Sequence, residues 1–180
     1  MFNKMNLTSS ELELLNYLVT NPEASYCKKI SKETKISAGA TSQSLRKLNK
    51  LNLIKKEIKG REVYYSVNIL EPLIKHFKIF SNLFLINPLI NKLKDKSKKI
   101  ILFGSFSKGE DTTESDIDIF ILTDKKTEIK EIIHNNLIKF KKVSPIITDS
   151  NEFIILKNKD KALYNQINEG IVIWSEKDEY

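Results

Sequence analysis

Gly104, Gly109, Asp116 and Asp118 constrain this chain more than any other part of its sequence. The apolar run 100–103 predicts a short buried strand. It ends at Gly104-Ser105, the kind of sharp turn that lets a backbone approach a ligand. Gly109 interrupts the segment again, and residues 116–122, DIDIFIL, then alternate as a second strand does.

The two aspartates of that second strand predict a metal site. Residues two apart share one face of a strand, so Asp116 and Asp118 are expected side by side while Ile117 and Ile119 enter the core. Two adjacent carboxylates repel each other, which raises the cost of ionising both. A hard divalent cation, bound by carboxylate oxygens together with nucleotide phosphates, would offset that cost.

Gly104-Ser105, ten intervening residues and Asp116-x-Asp118 together resemble the signature of the nucleotidyltransferase superfamily that includes DNA polymerase beta, especially its minimal prokaryotic members. The resemblance covers residues 98–174. It implies that Gly104 and Ser105 hold the phosphates of a nucleoside triphosphate, with ATP as the first choice. It also implies that Asp116 and Asp118 are catalytic and bind Mg²⁺. Lys108 is expected either to meet a phosphate or to be an ordinary surface lysine.

One departure from the family pattern leaves two interpretations of the site. Active members carry a third carboxylate on a later strand, which by order is the segment 143–148 here. Ser144 stands where the family has the acid. Asp149 lies an odd number of residues further on, so regular pleating would point it to the other face unless the strand ends or bulges first. The domain is therefore expected either to transfer a nucleotide or only to bind one with Mg²⁺.

The first third of the chain predicts three helices followed by a hairpin. Thr8-Ser9-Ser10-Glu11 has the pattern of a helix start. Further helices are expected at 25–34 and 40–51, with strands at 53–58 and 62–67 around a glycine turn. Residues 6–68 resemble the winged helix domain of prokaryotic transcription regulators.

That resemblance implies binding of double-stranded DNA through the third helix and the wing. Residues 1–70 hold 12 lysines and arginines against 6 acids, a net charge of +6, whereas residues 100–180 hold 11 against 15, a net charge of −4. The alternative is that these polar side chains are the solvated faces of a protein-binding winged helix. The residues expected to contact DNA are Thr41, Ser42, Gln43, Arg46, Lys47, Lys59 and Arg61.

Three further expectations concern the arrangement of helices. The connector 69–97 is predicted to be mainly helical and split at Pro88. Its many large apolar residues imply packing against one of the domains or against a second copy of the chain in a homodimer. A helix is expected from Thr127 to Phe140, with Leu137 and Phe140 on its inner face. A last helix is expected from Phe153 to about Asn168, with all helices on one side of a small mixed sheet.

These observations give an α+β fold class in three parts: an N-terminal winged helix-turn-helix domain (1–68), a helical connector (69–97) and a C-terminal, small mixed-sheet nucleotidyltransferase-like domain (98–180). A single cysteine excludes an internal disulfide and fits a reducing, cytoplasmic setting. No stretch approaches the roughly 18 uninterrupted apolar residues of a membrane span, so no membrane association is expected.

The function expected is transfer of a nucleoside monophosphate to an acceptor, with a protein as the first choice and an RNA, such as a tRNA end, or a small molecule as the second. The resemblance to minimal nucleotidyltransferases implies an antitoxin that adenylylates a partner toxin, such as a HEPN-type ribonuclease. An autoregulating antitoxin would also bind its own promoter through the first half of the chain. The alternative is a transcription regulator whose degenerate transferase domain senses nucleotide. A third hypothesis is that the winged helix holds an RNA substrate, which predicts tighter binding to RNA than to duplex DNA.

Overall fold

The structure is a computed structural model that describes residues 7–136, 138 and 141–176. It divides into two compact units, Met1–Lys78 and Ile79–Tyr180. Each unit combines helices with one sheet, so the α+β fold class is confirmed. The predicted domain limits at residues 68 and 97 stay a prediction about which segments fold on their own. Within the described residues, no helix is both long and apolar enough to cross a membrane.

The first unit has the element order of a winged helix-turn-helix domain. It begins with helix α1 (Ser9–Thr20), which is followed by strand β1 and helix α2. Helix α3 and the hairpin β2–β3 complete it, with a left-handed glycine, Gly60, at the hairpin turn. The remaining bounds are β1 (Ser25–Tyr26), α2 (Cys27–Thr34), α3 (Ala38–Lys50), β2 (Ile54–Lys59) and β3 (Glu62–Val67).

Helix α1 starts where the sequence predicts, because Thr8 and Glu11 form a reciprocal capping box. One apolar face each from α1, α2 and α3 then builds a common core that includes Leu18, Ile30 and Leu45. The sequence did not predict β1, whose two residues pair antiparallel with β3. Consequently α2 begins at Cys27 rather than at residue 25.

The long helix α4 (Pro72–Leu93) runs without a break through Pro88, so the predicted split at this proline is wrong. A proline in a helix removes one N–H donor and one hydrogen bond to the preceding turn. Leu89 and Leu93, on the C-terminal side of Pro88, are buried in the core of the second unit, and this packing holds the helix together beyond the proline.

The sheet of the second unit contains four strands in the order β6-β5-β4-β7. Strand β5 lies parallel to β6 and antiparallel to β4, which is itself antiparallel to β7, so the predicted mixed sheet is confirmed. The strand bounds are β4 (Lys99–Leu102), β5 (Ile117–Leu122), β6 (Val143–Thr148) and β7 (Ile171–Ser175), and the helix bounds are α5 (Gly104–Lys108), α6 (Lys126–His134), α7 (Ser150–Lys159) and α8 (Lys161–Asn168).

Helices cover both faces of this sheet, and the prediction of helices on one side is wrong. The odd-numbered residues of β5, such as Ile119, pack with α4 and α6. Phe120, on the opposite face, packs with Phe153 of α7 and Ile167 of α8. Residues on both faces of β5 are apolar, and each face therefore needs its own covering layer.

Two predicted helices are shorter than expected. Helix α6 ends at His134, and Asn135 caps it; Leu137 and Phe140 lie outside the described residues. The predicted last helix is two helices, because Asp160 leaves the helical conformation and its carboxylate accepts the Leu163 N–H at 2.9 Å. Asp160 thus ends α7 and caps α8.

Candidate active site and nucleic-acid interface

The turn after β4 is shaped by the close approach of Gly104 and Asp118. Gly104 has a left-handed backbone conformation, with φ +68°, and a Cβ added there would lie 2.3 Å from Asp118 Oδ2. The Phe103 N–H also donates to the Asp118 carbonyl at 3.0 Å, which ties the end of β4 to the start of β5. The Asp118 carboxylate therefore lies directly against the glycine turn, a position that requires glycine at residue 104.

The electrostatic environment of Asp118 disfavours its ionised form. Burial, and then the neighbouring Asp116 carboxylate, raise the pKa of Asp118 above its ordinary value. Both aspartates are half-buried. A bound divalent cation would oppose this effect, because it adds a positive charge beside the two carboxylates and so favours their ionised form.

Ser144 occupies the position beside Asp118 on the parallel strand β6, in direct register with it. Its hydroxyl donates to Asp116 Oδ2 at 3.4 Å, a long contact. The ammonium of Lys142 also lies 3.4 Å from the same Asp116 oxygen, although the lysine side chain is largely exposed. The place expected to hold a third acid thus presents a hydroxyl and a cation.

Asp149 does not serve as the missing acid. It follows Thr148, which pairs with Leu122 at the far end of β5, whereas Ser144 pairs with Asp118 near the start. Five residues of extended strand span roughly 16 Å. Asp149 instead caps α7 and binds Lys126 at 2.7 Å. The hydrogen bond from Lys126 lowers the pKa of Asp149.

The other residues expected at the nucleotide lie on the short helix α5. The carbonyl of Ser105 accepts the Glu110 N–H at 3.0 Å, and Ser105 itself is half-buried. Lys108 is exposed, and its ammonium lies 3.7 Å from the Glu169 carboxylate. Both residues are therefore near the turn, and their contact with a phosphate stays a prediction.

The donor set fits a magnesium ion. Mg²⁺ in nucleotide sites is commonly held by one or two carboxylates, with phosphates and water as the remaining ligands. Asp116 and Asp118 supply two carboxylates on a half-buried surface beside the turn. In the described part of the chain, no three His, Cys, Asp or Glu side chains group together as a self-sufficient metal site. The arrangement is thus one in which nucleotide phosphates would complete the coordination.

The residues expected to contact DNA divide into exposed and engaged side chains. Gln43, Arg46, Lys59 and Arg61 are exposed, and Ser42 is half-buried. Arg46 Nη2 donates to Ser42 Oγ at 3.1 Å, one turn earlier on α3. Lys59 lies 3.2 Å from Glu57 and 5.6 Å from the centre of the Tyr64 ring, so the wing presents cations beside an aromatic side chain.

Of the residues predicted to contact DNA, Thr41 is wrongly placed and Lys47 has a second role. Thr41 is fully buried, and its hydroxyl donates to the Ile36 carbonyl, so its predicted place on the outer face of α3 is wrong. Lys47 lies 2.9 Å from Glu11, a buried acid of α1. Burial raises the pKa of Glu11, but the hydrogen bonds from Lys47 and Thr8 lower it overall. Lys47 therefore contributes to packing of α1 against α3.

Two contacts near the site were not predicted from the sequence. Lys142 meets Asp116 because the parallel register of β5 and β6 brings residues far apart in the chain together. Asn82 of α4 donates to the Phe106 carbonyl at 3.1 Å and to Asp111 Oδ1 at 2.7 Å, and the Asn82 and Asp111 side chains are buried. The sequence carries only a weak signal for these two partners, namely an acidic residue that precedes an alternating strand.

Comparison with known proteins assigns both units. The model of the family described as Polymerase beta, Nucleotidyltransferase matches residues 86–179, more than half of the chain. The protein therefore belongs to this nucleotidyltransferase family. A second family model, described as Bacterial regulatory protein, arsR family, matches residues 8–56. The N-terminal unit is thus a winged helix-turn-helix domain fused to a nucleotidyltransferase domain, as the sequence predicts.

Individual relatives each match about half of the chain. A protein of Methanocaldococcus jannaschii named "Putative protein adenylyltransferase" is 36% identical over 82 residues, which are 45% of this chain and 82% of that protein. Staphylococcus aureus MepR, a transcription regulator of a multidrug efflux pump, is 18% identical with a TM-score of 0.41, over 51% of this chain and 70% of its own. A mutant of Lactococcus lactis ZitR in complex with DNA is 27% identical with a TM-score of 0.38, over 51% of this chain and 65% of its own.

Proposed function

We propose that the protein is a magnesium-dependent nucleotidyltransferase that moves a nucleoside monophosphate from a nucleoside triphosphate, with ATP as the first choice, to an acceptor hydroxyl. The observation that carries this proposal is the Asp118 carboxylate packed against Gly104, with its pKa raised by burial and then by the neighbouring Asp116. A cation beside the turn would stabilise the ionised carboxylates of Asp116 and Asp118. Membership of the family and a relative named as an adenylyltransferase support the same reaction.

The proposed step forms a bond between the acceptor oxygen and the α-phosphorus. The bond from that phosphorus to the bridging oxygen of the β-phosphate breaks, pyrophosphate leaves, and the hydroxyl proton passes to water. Bound Mg²⁺ would neutralise charge on the phosphates. The chain's own residues contribute by orientation: the turn at Gly104 and Ser105 receives the phosphates, and Asp116 and Asp118 hold the cation in a fixed place.

The acceptor proposed first is a protein, and a HEPN-type toxin is the partner that the family resemblance suggests. The name of the Methanocaldococcus relative is consistent with a protein acceptor. An RNA acceptor is the second choice. The winged helix unit, with exposed Gln43, Arg46 and Arg61, is proposed to bind duplex DNA and to regulate transcription, including that of the protein's own gene. The protein is proposed to act as a homodimer in the cytoplasm.

The test is transfer of label from α-labelled ATP, CTP, GTP or UTP in the presence of Mg²⁺ and host lysate. Wild-type protein is expected to label one band, sensitive to protease for a protein acceptor or to ribonuclease for RNA. The double variant Asp116→Asn/Asp118→Asn should label nothing. Asp95→Asn, which removes an exposed acid of the same unit, should behave as wild type. Equal labelling by the double variant would contradict the proposal.

A second candidate function is nucleotide sensing without transfer. It is favoured by Ser144, which stands in register with Asp118 where the third acid is expected. If sensing is the function, wild-type protein binds nucleotide with Mg²⁺ yet labels no acceptor.

The variant Ser144→Asp separates the two functions. It places a carboxylate beside Asp116, and transfer would then rise about 10-fold or more from a low level, because a third acid can bind metal and accept a proton. Ser150→Asp, an exposed position of α7, is the control for added charge. Efficient transfer by wild-type protein would rule out sensing as its sole role.

A further inference from the structure

Lys141, just before β6, makes an unusual set of contacts. Its ammonium donates to main-chain carbonyls of three residues in one loop: Thr112, Thr113 at 2.9 Å and Ser115 at 3.2 Å. The same ammonium lies 5.3 Å from the centre of the Phe106 ring. The Lys141 ammonium thus contacts both the loop that precedes Asp116 and the Phe106 ring of α5.

The loop that Lys141 contacts, residues 110–115, joins the two halves of the candidate active site. It follows α5 and Gly109, and it ends just before Asp116, the residue that precedes β5. Its start is fixed by the buried bond between Asn82 and Asp111. Its middle is a turn in which the Thr112 N–H donates to Ser115 Oγ at 2.8 Å. The exposed residues of this turn have little packing of their own, so the Lys141 contacts are important for its conformation.

The segment that carries Lys141 reaches the site in two further ways. The carbonyl of Lys142 accepts the Ile117 N–H at 2.8 Å, which aligns the start of β5. The ammonium of Lys142 lies beside Asp116. Two consecutive lysines therefore hold three successive parts of the chain: the loop, the Asp116 carboxylate and the first residue of the strand that bears Asp118.

We propose that Lys141 is a positioning residue of the nucleotidyltransferase site, which orders the loop between α5 and Asp116 and thereby places the Asp116 carboxylate relative to the phosphate turn. This role rests on the proposed function. An ammonium is compact and can direct three donors to converging carbonyls, whereas an uncharged chain of similar length cannot. An ordinary surface lysine would instead extend into water or pair weakly with a carboxylate.

The test compares full-length wild-type protein with Lys141→Met in two measurements. The first is hydrogen exchange by mass spectrometry without nucleotide, in which peptides covering residues 110–116 should exchange faster in the variant. The second is calorimetry with ATP and Mg²⁺, in which affinity should fall roughly 5- to 10-fold, as expected for lost hydrogen bonds to a charged group at a partly exposed site. The melting temperature should change little.

Two controls separate positioning from general loss of charge or stability. Lys130→Met removes an exposed lysine of α6 and should alter neither measurement. Lys141→Cys in a Cys27→Ser background leaves one cysteine, because the natural chain has a single one. Treatment with 2-bromoethylamine then creates an ammonium of lysine-like length, and this should restore both loop protection and ATP affinity.

The outcomes distinguish this role from the proposed function. Wild-type protein that binds no ATP overturns the proposed function, and the positioning role falls with it. If wild type binds ATP, unchanged exchange in Lys141→Met, or faster exchange with unchanged affinity, overturns the positioning role alone. A fall in affinity that tracks a fall in melting temperature and is not restored by aminoethylation also overturns it, because the lysine would then be merely structural.

Discussion

Gly104 and Asp118 restrict each other at the scale of single residues. The carboxylate fills the space that a side chain at residue 104 would need, and the positive φ of Gly104 favours glycine independently. Because the carboxylate is held beside the turn, burial and Asp116 act on it together and raise its pKa. The geometry of the turn therefore also determines the electrostatic environment of the Asp118 carboxylate.

Gly104→Ala is expected to destabilise the second unit by about 1–3 kcal/mol, because the new methyl group forces either strain or displacement of Asp118. Unfolding followed by calorimetry measures the effect. Gly39→Ala is the control, since a Cβ at residue 39 meets no atom within 4 Å. This substitution lies in α3 and should stabilise by roughly 0.4–1 kcal/mol. Equal stability of Gly104→Ala and wild type would contradict the close approach of the Asp118 carboxylate to Gly104.

The stability of the metal-free protein should respond to pH through Asp118. A carboxyl group whose pKa is raised on folding stabilises the folded state when protonated, and this contribution is lost as pH rises through the raised pKa. Asp118→Asn should therefore be more stable than wild type at neutral pH.

The comparison needs melting temperatures across the acid range. The advantage of Asp118→Asn should shrink as pH falls toward 3.8, the ordinary value for aspartate. Asp149→Asn should behave in the opposite way: because Lys126 lowers the pKa of Asp149, this variant should be less stable than wild type at neutral pH. A melting difference between wild type and Asp118→Asn that does not depend on pH would disprove the environment assigned to Asp118.

At the scale of elements, features that depend on local sequence were predictable. The capping box of α1, the turn at Gly104 and the alternation of β5 each follow from residues close together in the chain. Features that depend on distant partners were not. Strand β1 exists because β3 offers it an edge, and α4 continues through Pro88 because the residues beyond it pack in a core.

The candidate site shows the same division. The turn and the pair of aspartates lie within one short segment, and their pattern was sufficient to predict them. Lys142 contacts Asp116 from a distant part of the sequence, and the register that brings them together is fixed by packing on both faces of the sheet. The break at Asp160 was missed because neither glycine nor proline marks it.

Helix α3 and the wing together predict specific effects on DNA binding. Gln43→Ala and Arg46→Ala should each weaken binding to the preferred duplex by about 1–3 kcal/mol and relax base preference, because both side chains are exposed on α3. Arg61→Ala should weaken binding to all sequences alike. It should also reduce the slope of log affinity against log salt concentration by about one, as expected for one lost phosphate contact. Fluorescence anisotropy at several salt concentrations measures these changes.

The control for these variants is Lys161→Ala, which removes an equal charge from the second unit and should leave DNA affinity unchanged. The duplex can be selected from fragments upstream of the protein's own gene. Tighter binding to RNA than to any duplex would favour the hypothesis that the winged helix holds an RNA substrate. Equal affinity of Arg46→Ala and wild type for the preferred duplex would contradict the assigned recognition surface.

At the scale of the whole molecule, α4 carries apolar side chains that its own chain leaves exposed. Phe80 is 56% exposed and Phe84 is 74% exposed, and their rings stack with centres 6.4 Å apart. Large apolar side chains grouped on a surface often mark an interaction site. This supports the proposed homodimer.

Phe80→Ser/Phe84→Ser is expected to convert a dimer into a monomer, because it removes the apolar surface that association would bury. Light scattering coupled to size-exclusion chromatography measures the mass. Ile154→Ser, at an exposed apolar position of α7, should remain a dimer. Wild-type protein that is monomeric at all concentrations would contradict the proposed dimer without affecting the nucleotide site.

The most direct test of the central claim is calorimetric titration of the full-length protein with ATP, with Mg²⁺ or with a chelator. Saturable binding is predicted that requires Mg²⁺, falls about 10-fold or more in Asp118→Asn, and persists in Asp95→Asn, since two carboxylates beside the turn are needed to hold the cation. Binding that is equally strong without Mg²⁺, or unchanged in Asp118→Asn, would contradict a metal-dependent nucleotide site at Gly104, Asp116 and Asp118.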